Sequence, residues 1–365
     1  MWQVIGHELA QARIKKALHN GTLGHAYLIC GLPHIGKMTL ALTLAQALNC
    51  CQAESPCGVC PVCRRIAAAT HPDVRVVALE NSSSDDKSSL RTEISIKQVR
   101  DDIQHWVNLP AFEGKYRVFI IDAAEMLSSE AANCLLKTLE EPQEKVIFLL
   151  LSNEPSRLPE TVISRCQRLD LRPVAASKIE AALLSQGVAA EKARLLSRLS
   201  RGCPGSALMA VSDESVLERR AARLSRLFDV LAGNLETRFE FSAELATRFT
   251  QRRAEVREVL DALSEILRDM LLFEIGLGAE IVNLDYGDKL QLLAQEFNIK
   301  EIRKGITAVS IALRQLWQNA SPRLVLDVMM LDIPSVNLKK SRNIEVCDVR
   351  NSRCAFSQKQ QDISF

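Results

Sequence analysis

The stretch Gly31-Leu32-Pro33-His34-Ile35-Gly36-Lys37 narrows the possible folds more than any other part of the chain. The apolar run Ala26-Tyr27-Leu28-Ile29-Cys30 precedes it and has the character of a buried strand. Thr39 to Leu48 follows it with the character of a helix. Strand, glycine-bounded loop, Gly-Lys and helix is the order of a phosphate-binding loop, in which backbone N–H groups curl round phosphate oxygens and the lysine adds a point charge. Position 38 departs from that pattern. A Ser or Thr hydroxyl there would ligate Mg2+, whereas Met38 offers a thioether unsuited to a hard cation. Thr39 carries the nearest hydroxyl, turned about 100° round the helix. The loop thus raises the question of whether the chain works on a nucleotide or only shares the frame of proteins that do.

Further strands are expected at Arg75–Leu79, at the apolar runs Arg117–Asp122 and Val146–Leu151, and, short and last, at Gln167–Leu171, with helices at Ile96–Leu109 and Ser128–Glu141 between them. Apolar strands alternating with helices imply a parallel sheet covered on both faces, an α/β fold. Asn81–Ser89, rich in Ser and Asp, is expected to be an exposed loop. Past Pro173 the strand signal ends. Two or three short helices lead to the breaker cluster Arg201-Gly202-Cys203-Pro204-Gly205, and helical stripes such as Val256, Leu260, Leu263, Leu267 and Met270 follow. These boundaries give an α/β domain over 1–172 with a cysteine module at 50–63, a small helical lid over 173–209, an all-α bundle over 210–333 and a polar tail over 334–365, expected to be flexible.

Asp122 closes a buried strand and fits the role of positioning Mg2+. In hydrolysing relatives that carry an Asp-Glu pair, the Glu polarises the attacking water; here that place is Ala123. Ser152 and Asn153, at the end of the Val146–Leu151 strand, take the position of a polar sensor. The candidate nucleotide contacts, for ATP or ADP in what is expected to be a vestigial site, are Gly31, Gly36, Lys37, Thr39, Asp122 and Ser152. Arg165, in Ser164-Arg165-Cys166, stands where a P-loop protein can present an arginine to a neighbour's γ-phosphate.

Five of the eleven cysteines lie between positions 50 and 63. Cys57-x2-Cys60-x2-Cys63, with Cys50 and Cys51 upstream, supplies the four thiolates that tetrahedral Zn2+ requires. An iron–sulfur cluster is the weaker alternative, because no Cys-Pro follows Cys63 at the ferredoxin spacing. Four thiolates would close the coordination sphere, so the zinc is expected to be structural.

The net charge of +2 is spread as +3 over 1–209, −4 over 210–333 and +3 over 334–365. No region has the basic excess of an autonomous DNA binder, so any contact with nucleic acid would be shared with partners. No apolar run reaches the ~20 residues that span a bilayer, and the N-terminus carries neither a signal-peptide nor a transit-peptide pattern. A cytoplasmic location without membrane contact is expected.

Asn133-Cys134-Leu135-Leu136-Lys137-Thr138-Leu139-Glu140-Glu141-Pro142, Leu158-Pro159, Ser164-Arg165-Cys166, the cysteine module and the phosphate loop together resemble the bacterial clamp-loader AAA+ subunits of DNA polymerase III. The resemblance is specific over about 1–210 and rests on length and helical character beyond. It implies an AAA+ P-loop domain, a lid, and an oligomerisation collar in a hetero-oligomer, with gamma/tau and delta subunits, the β sliding clamp and, through the complex, primer–template DNA as partners. It makes Cys50, rather than Cys51, the fourth zinc ligand. Motor subunits of this family hydrolyse ATP and carry a lid arginine where this chain has Gly205. Met38, Ala123 and Gly205 depart from the motor in one direction while Arg165 is kept, which resembles the family's stator subunit. Little or no intrinsic ATPase is expected. A gamma/tau-type motor, and more remotely a small-molecule kinase or a zinc-dependent regulatory NTPase, are the competing functions.

Overall fold

The computed structural model describes residues 2, 4–52, 55–79, 93–250, 252–318 and 320–334. The loop expected at Asn81–Ser89 and the tail beyond 334 lie outside the described residues. The chain divides into two compact units, Met1–Arg219 with Val282–Asp285, and Arg220–Ile281 with the residues from Tyr286 onward.

The first unit opens with α1 (Glu8–His19), β1 (Ala26–Cys30) and α2 (Lys37–Asn49). After α3 (Pro61–Ala67) and β2 (Val74–Val77), α4 (Ile96–Val99) passes through a π-helical turn (Arg100–Gln104) into α5 (His105–Val107). The remaining elements of the α/β layer are β3 (Arg117–Ile121), α6 (Ser129–Glu140), β4 (Val146–Ser152), α7 (Glu160–Ile163) and β5 (Gln167–Asp170). All ladders are parallel and the strand order is β2-β3-β4-β1-β5. The three inner strands are buried at every residue. Alternate side chains feed two cores: Leu28, Phe119 and Phe148 on one face, Ile29, Ile120 and Leu149 on the other. Burial on both faces is why these strands are continuously apolar rather than alternating. Ser128 caps α6 by accepting a hydrogen bond from Ala131 N, and Pro142 follows its end.

The sequence suggests a single helix over Ile96–Leu109. The observed segment ends at Val107 and is interrupted by the π turn. Side-chain periodicity over so few residues does not register one extra residue per turn.

Three lid helices complete the unit, α8 (Ala176–Ser185), α9 (Ala190–Leu199) and α10 (Pro204–Ser212), packed through Ile179, Leu183, Leu196 and Ala207. Among its described residues the second unit contains helices and connecting turns and no strand. It is built from α11 (Ser215–Ala232) from Arg220 onward, α12 (Leu235–Phe249), α13 (Arg253–Glu274), α14 (Gly287–Gln295), α15 (Ile299–Trp317) and α16 (Pro322–Asp332). The stripe Val256, Leu260, Leu263, Leu267 and Met270 expected from the sequence is buried in its core. Arg238 is buried there too, 1% exposed, and donates to the carbonyls of Leu231, Met330, Ile333 and Pro334.

Candidate functional site

Strand order places the site. Because β4 lies between β1 and β3, the end of β4 stands between the phosphate loop that follows β1 and Asp122, which follows β3. Gly31 N donates to Ser152 O at 3.1 Å, tying the start of the loop to that strand end. Gly36 adopts φ 109°, a left-handed value that favours glycine, and is the N-cap of α2.

Lys37 is 8% exposed and its ammonium is fully engaged. It donates to Gly31 O at 2.9 Å, Leu32 O at 2.8 Å and Asn153 Oδ1 at 2.7 Å. Asn153 in turn donates from its backbone N and its Nδ2 to Glu125 Oε1, at 3.1 and 2.9 Å. Burial pushes the Lys37 pKa below its ordinary value, against the opposing influence of Asp122 and Glu125. The lysine that would meet phosphate is thus satisfied by its own loop and by a sensor-position amide. Ser152 is fully buried, and its hydroxyl has no hydrogen-bond partner among the described residues. Of the two polar residues at this strand end, Asn153 is the one that reaches Lys37.

Met38 packs partly buried against the core beneath the sheet, and Thr39 is exposed. Asp122 Oδ1 accepts from Ala123 N at 3.0 Å, with Ala123 in the left-handed region at φ 51°. Two further contacts hold the loop from outside. His7 Nε2 lies 3.0 Å from Ile35 O, and Gly205 N, in the first turn of α10, donates to His34 O at 2.9 Å. Periodicity gives no signal for His7 or for the buried role of Glu125. The Gly6-His7 pair, both at positive φ ahead of α1, is the one local hint.

The sulfurs of Cys50, Cys57, Cys60 and Cys63 all lie within 4.8 Å of one another, with Cys57 and Cys63 at 3.9 Å. Four sulfurs about 2.3 Å from one ion would stand about 3.8 Å apart, so the set fits a tetrahedral metal. The chain folds them as ligands are usually folded: Cys60 N donates to Cys57 Sγ and Cys63 N to Cys60 Sγ, each at 3.4 Å. Backbone N–H groups of Cys60 and Val59 pull the Cys57 thiol down to about 6, towards the thiolate a metal needs. Burial pushes the Cys63 thiol upward. Cys51 is exposed and outside the cluster, which leaves Cys50 as the fourth donor.

The module is seated on the end of α2. Gln46 donates to Cys63 O at 2.8 Å, and Arg65 pairs with Glu113 at 2.7 Å. That contact joins it to the 109–114 loop. Buried Asp73 holds the same loop by accepting from the backbone of Phe112, Glu113 and Gly114, while Arg117 donates to the carbonyls of Trp106, Leu109 and Pro110.

Arg165 follows α7 at the surface, and its bonds run to Glu140, Thr161 and Ser164. Its Nη2 lies 2.6 Å from Glu140 Oε1, and its Nη1 donates to Thr161 O at 2.8 Å. The side chain is 34% exposed.

A phosphate loop, an acid two strands away, a polar strand end between them and a helical lid bonded to the loop is the layout of P-loop proteins of the AAA+ class. Comparison with known proteins narrows the class. The family model described as DNA polymerase III, delta subunit matches residues 6–175, and a second model, for the C-terminal part of the delta subunit, matches 218–334. The chain belongs to the DNA polymerase III clamp-loader subunit family. It is 29% identical over 327 residues to DNA polymerase III subunit delta' of Bacillus subtilis, covering 88% of this chain and 95% of that one. To DNA polymerase III subunit tau of Escherichia coli it is 32% identical over 241 residues, which are 64% of this chain and 36% of tau. A DNA polymerase III gamma subunit-related protein of Thermotoga maritima superposes over 87% of this chain and 97% of its own at 15% identity, with a TM-score of 0.38, too loose to bear on the assignment. Among the described residues no helix is long and apolar enough to cross a membrane.

Proposed function

We propose that the chain is a delta-prime-type stator of the replicative clamp loader: a noncatalytic subunit that supports ATP-dependent loading of the β sliding clamp onto primed DNA. It assembles with gamma/tau and delta subunits through the helical unit, expected over 210–333, and supplies Arg165 in trans to a neighbouring ATPase site. The observation that carries this reading is the self-satisfied phosphate loop. Lys37 is bound by Gly31 O, Leu32 O and Asn153, Met38 packs into the core, and Gly205 brings the lid backbone onto His34. A nucleotide's phosphates would have to compete with these partners for Lys37 and would find neither the Mg2+ hydroxyl, nor the glutamate at position 123, nor a lid arginine. Gly31, Gly36, Lys37, Thr39, Asp122 and Ser152 are then the remnant of a nucleotide site. ATP or ADP binding is weak, and the chemistry belongs to another subunit.

Cys50, Cys57, Cys60 and Cys63 hold Zn2+ in a structural role, since four thiolates leave no open position for water. The metal would tie the end of α2 to α3 and to the 109–114 loop.

The test is nucleotide titration of the purified chain with and without Mg2+, followed by ATPase assays alone and in the reconstituted complex. Negligible turnover alone, with a complex that loses ATP-driven clamp loading when Arg165→Ala is introduced but still assembles, is the expected result. Turnover by the isolated chain at the level of a motor subunit would instead favour the gamma/tau-type reading, which the 32% identity to tau motivates.

A further inference from the structure

Arg165 is not free. One terminal nitrogen of its guanidinium is bonded to Glu140 at 2.6 Å, and the other reaches Thr161 O and Ser164 Oγ. The fork is therefore held between the last residue of α6 and the residues of and just after α7. Glu140 is an unusual residue to find there. It is the last residue of α6, where the helix carbonyls carry partial negative charge and a carboxylate is disfavoured. Glu141 follows directly and Glu144 lies three residues on, so like charges crowd the same end. Among the described residues, Arg165 is the one cation bonded to Glu140.

The strength of this bond suits a temporary partner. Both side chains are substantially exposed, 34% for Arg165 and 50% for Glu140, and an ion pair in such a place is weak. A triphosphate carries more charge and can accept two parallel N–H bonds from a guanidinium. It would therefore outcompete a lone, solvated carboxylate once brought within reach.

We propose that Glu140 is a positioning residue that parks Arg165 against α6 and α7 until a triphosphate on an adjoining subunit draws the guanidinium away. The proposal rests on the trans role of Arg165 given above. Parking sets the cost of delivering the arginine and so acts on nucleotide binding at the neighbouring site rather than on the bond-breaking step.

The experiment uses the chain reconstituted with the partner subunits of its clamp-loader complex and reads steady-state ATP hydrolysis. Glu140→Gln keeps the shape and removes the charge. It is expected to lower KM for ATP about two- to fivefold, the range an exposed ion pair allows, with kcat little changed. Glu140→Asp restores the charge and should return KM towards its original value. Combined with Arg165→Ala, the Glu140→Gln substitution should have no effect of its own. Unchanged KM in Glu140→Gln, or the same shift in the Arg165→Ala background, overturns the parking role while leaving the trans arginine intact, provided Arg165→Ala alone depresses turnover. Wild-type turnover in Arg165→Ala overturns both.

Discussion

A Cβ at position 205 would stand 2.7 Å from the His34 carbonyl oxygen, a backbone atom that cannot swing aside. Glycine is what lets the first turn of α10 donate its N–H to that carbonyl. Gly205→Arg, which supplies the residue motors carry, is therefore expected to push lid and loop apart. The cost should be about 1–3 kcal/mol in urea unfolding, with no gain of ATPase. Asn153 is the other single residue on which the loop depends. Asn153→Ala removes a partner of Lys37 and strips Glu125 Oε1 of a side-chain donor in a nearly closed site. A loss of about 1–3 kcal/mol is expected, readable as a lower urea midpoint at unchanged slope.

At the scale of elements, the cysteine module and the 109–114 loop answer to different chemistry. Cys60→Ser is expected to abolish bound zinc, measured by metal analysis, and to loosen α3 and the Arg65–Glu113 contact, seen as faster amide exchange there. The loop responds to pH through Asp73. Burial alone would raise this carboxyl's pKa, but three backbone N–H groups and Arg117 outweigh burial and hold it below the ordinary carboxylate value. The folded pKa is then lower than the unfolded one. The stabilisation is present above the unfolded pKa and is lost as pH falls through the folded value. Amide protection at Phe112–Gly114 should drop in acid before the strands exchange, and Asp73→Asn should show the same drop at neutral pH.

Much of this unit was legible in the sequence. The five strands fall where they were expected; the inner β1, β3 and β4 declare themselves as apolar runs because they are buried on both faces, whereas the edge strand β5 is exposed at three of its four residues. Cys57, Cys60 and Cys63 announced by spacing alone a thiol cluster that could hold a metal. The contacts of His7, Glu125 and Glu140 were not legible. Each depends on strand ends and helix ends that meet only after the sheet has formed, and none follows a period.

At the scale of the whole molecule, the two units are held by different means. The helical unit depends on Arg238, whose buried guanidinium binds four carbonyls from the end of α11 and from α16 and the residues just after it. Arg238→Met keeps volume but leaves those carbonyls without that donor, so a loss of about 2–4 kcal/mol is expected in denaturant unfolding of the full chain.

The first unit is closed by the Gly205–His34 bond, and this has a mechanical consequence. In an AAA+ machine a nucleotide acts as a wedge between sheet and lid, and its arrival and departure swing one against the other. Here the chain's own backbone bonds lid to loop, Gly205 N to His34 O. Sheet and lid are thereby tied at the loop, so in the stator role proposed above the subunit would be expected to pass on motion that its neighbours generate rather than add its own.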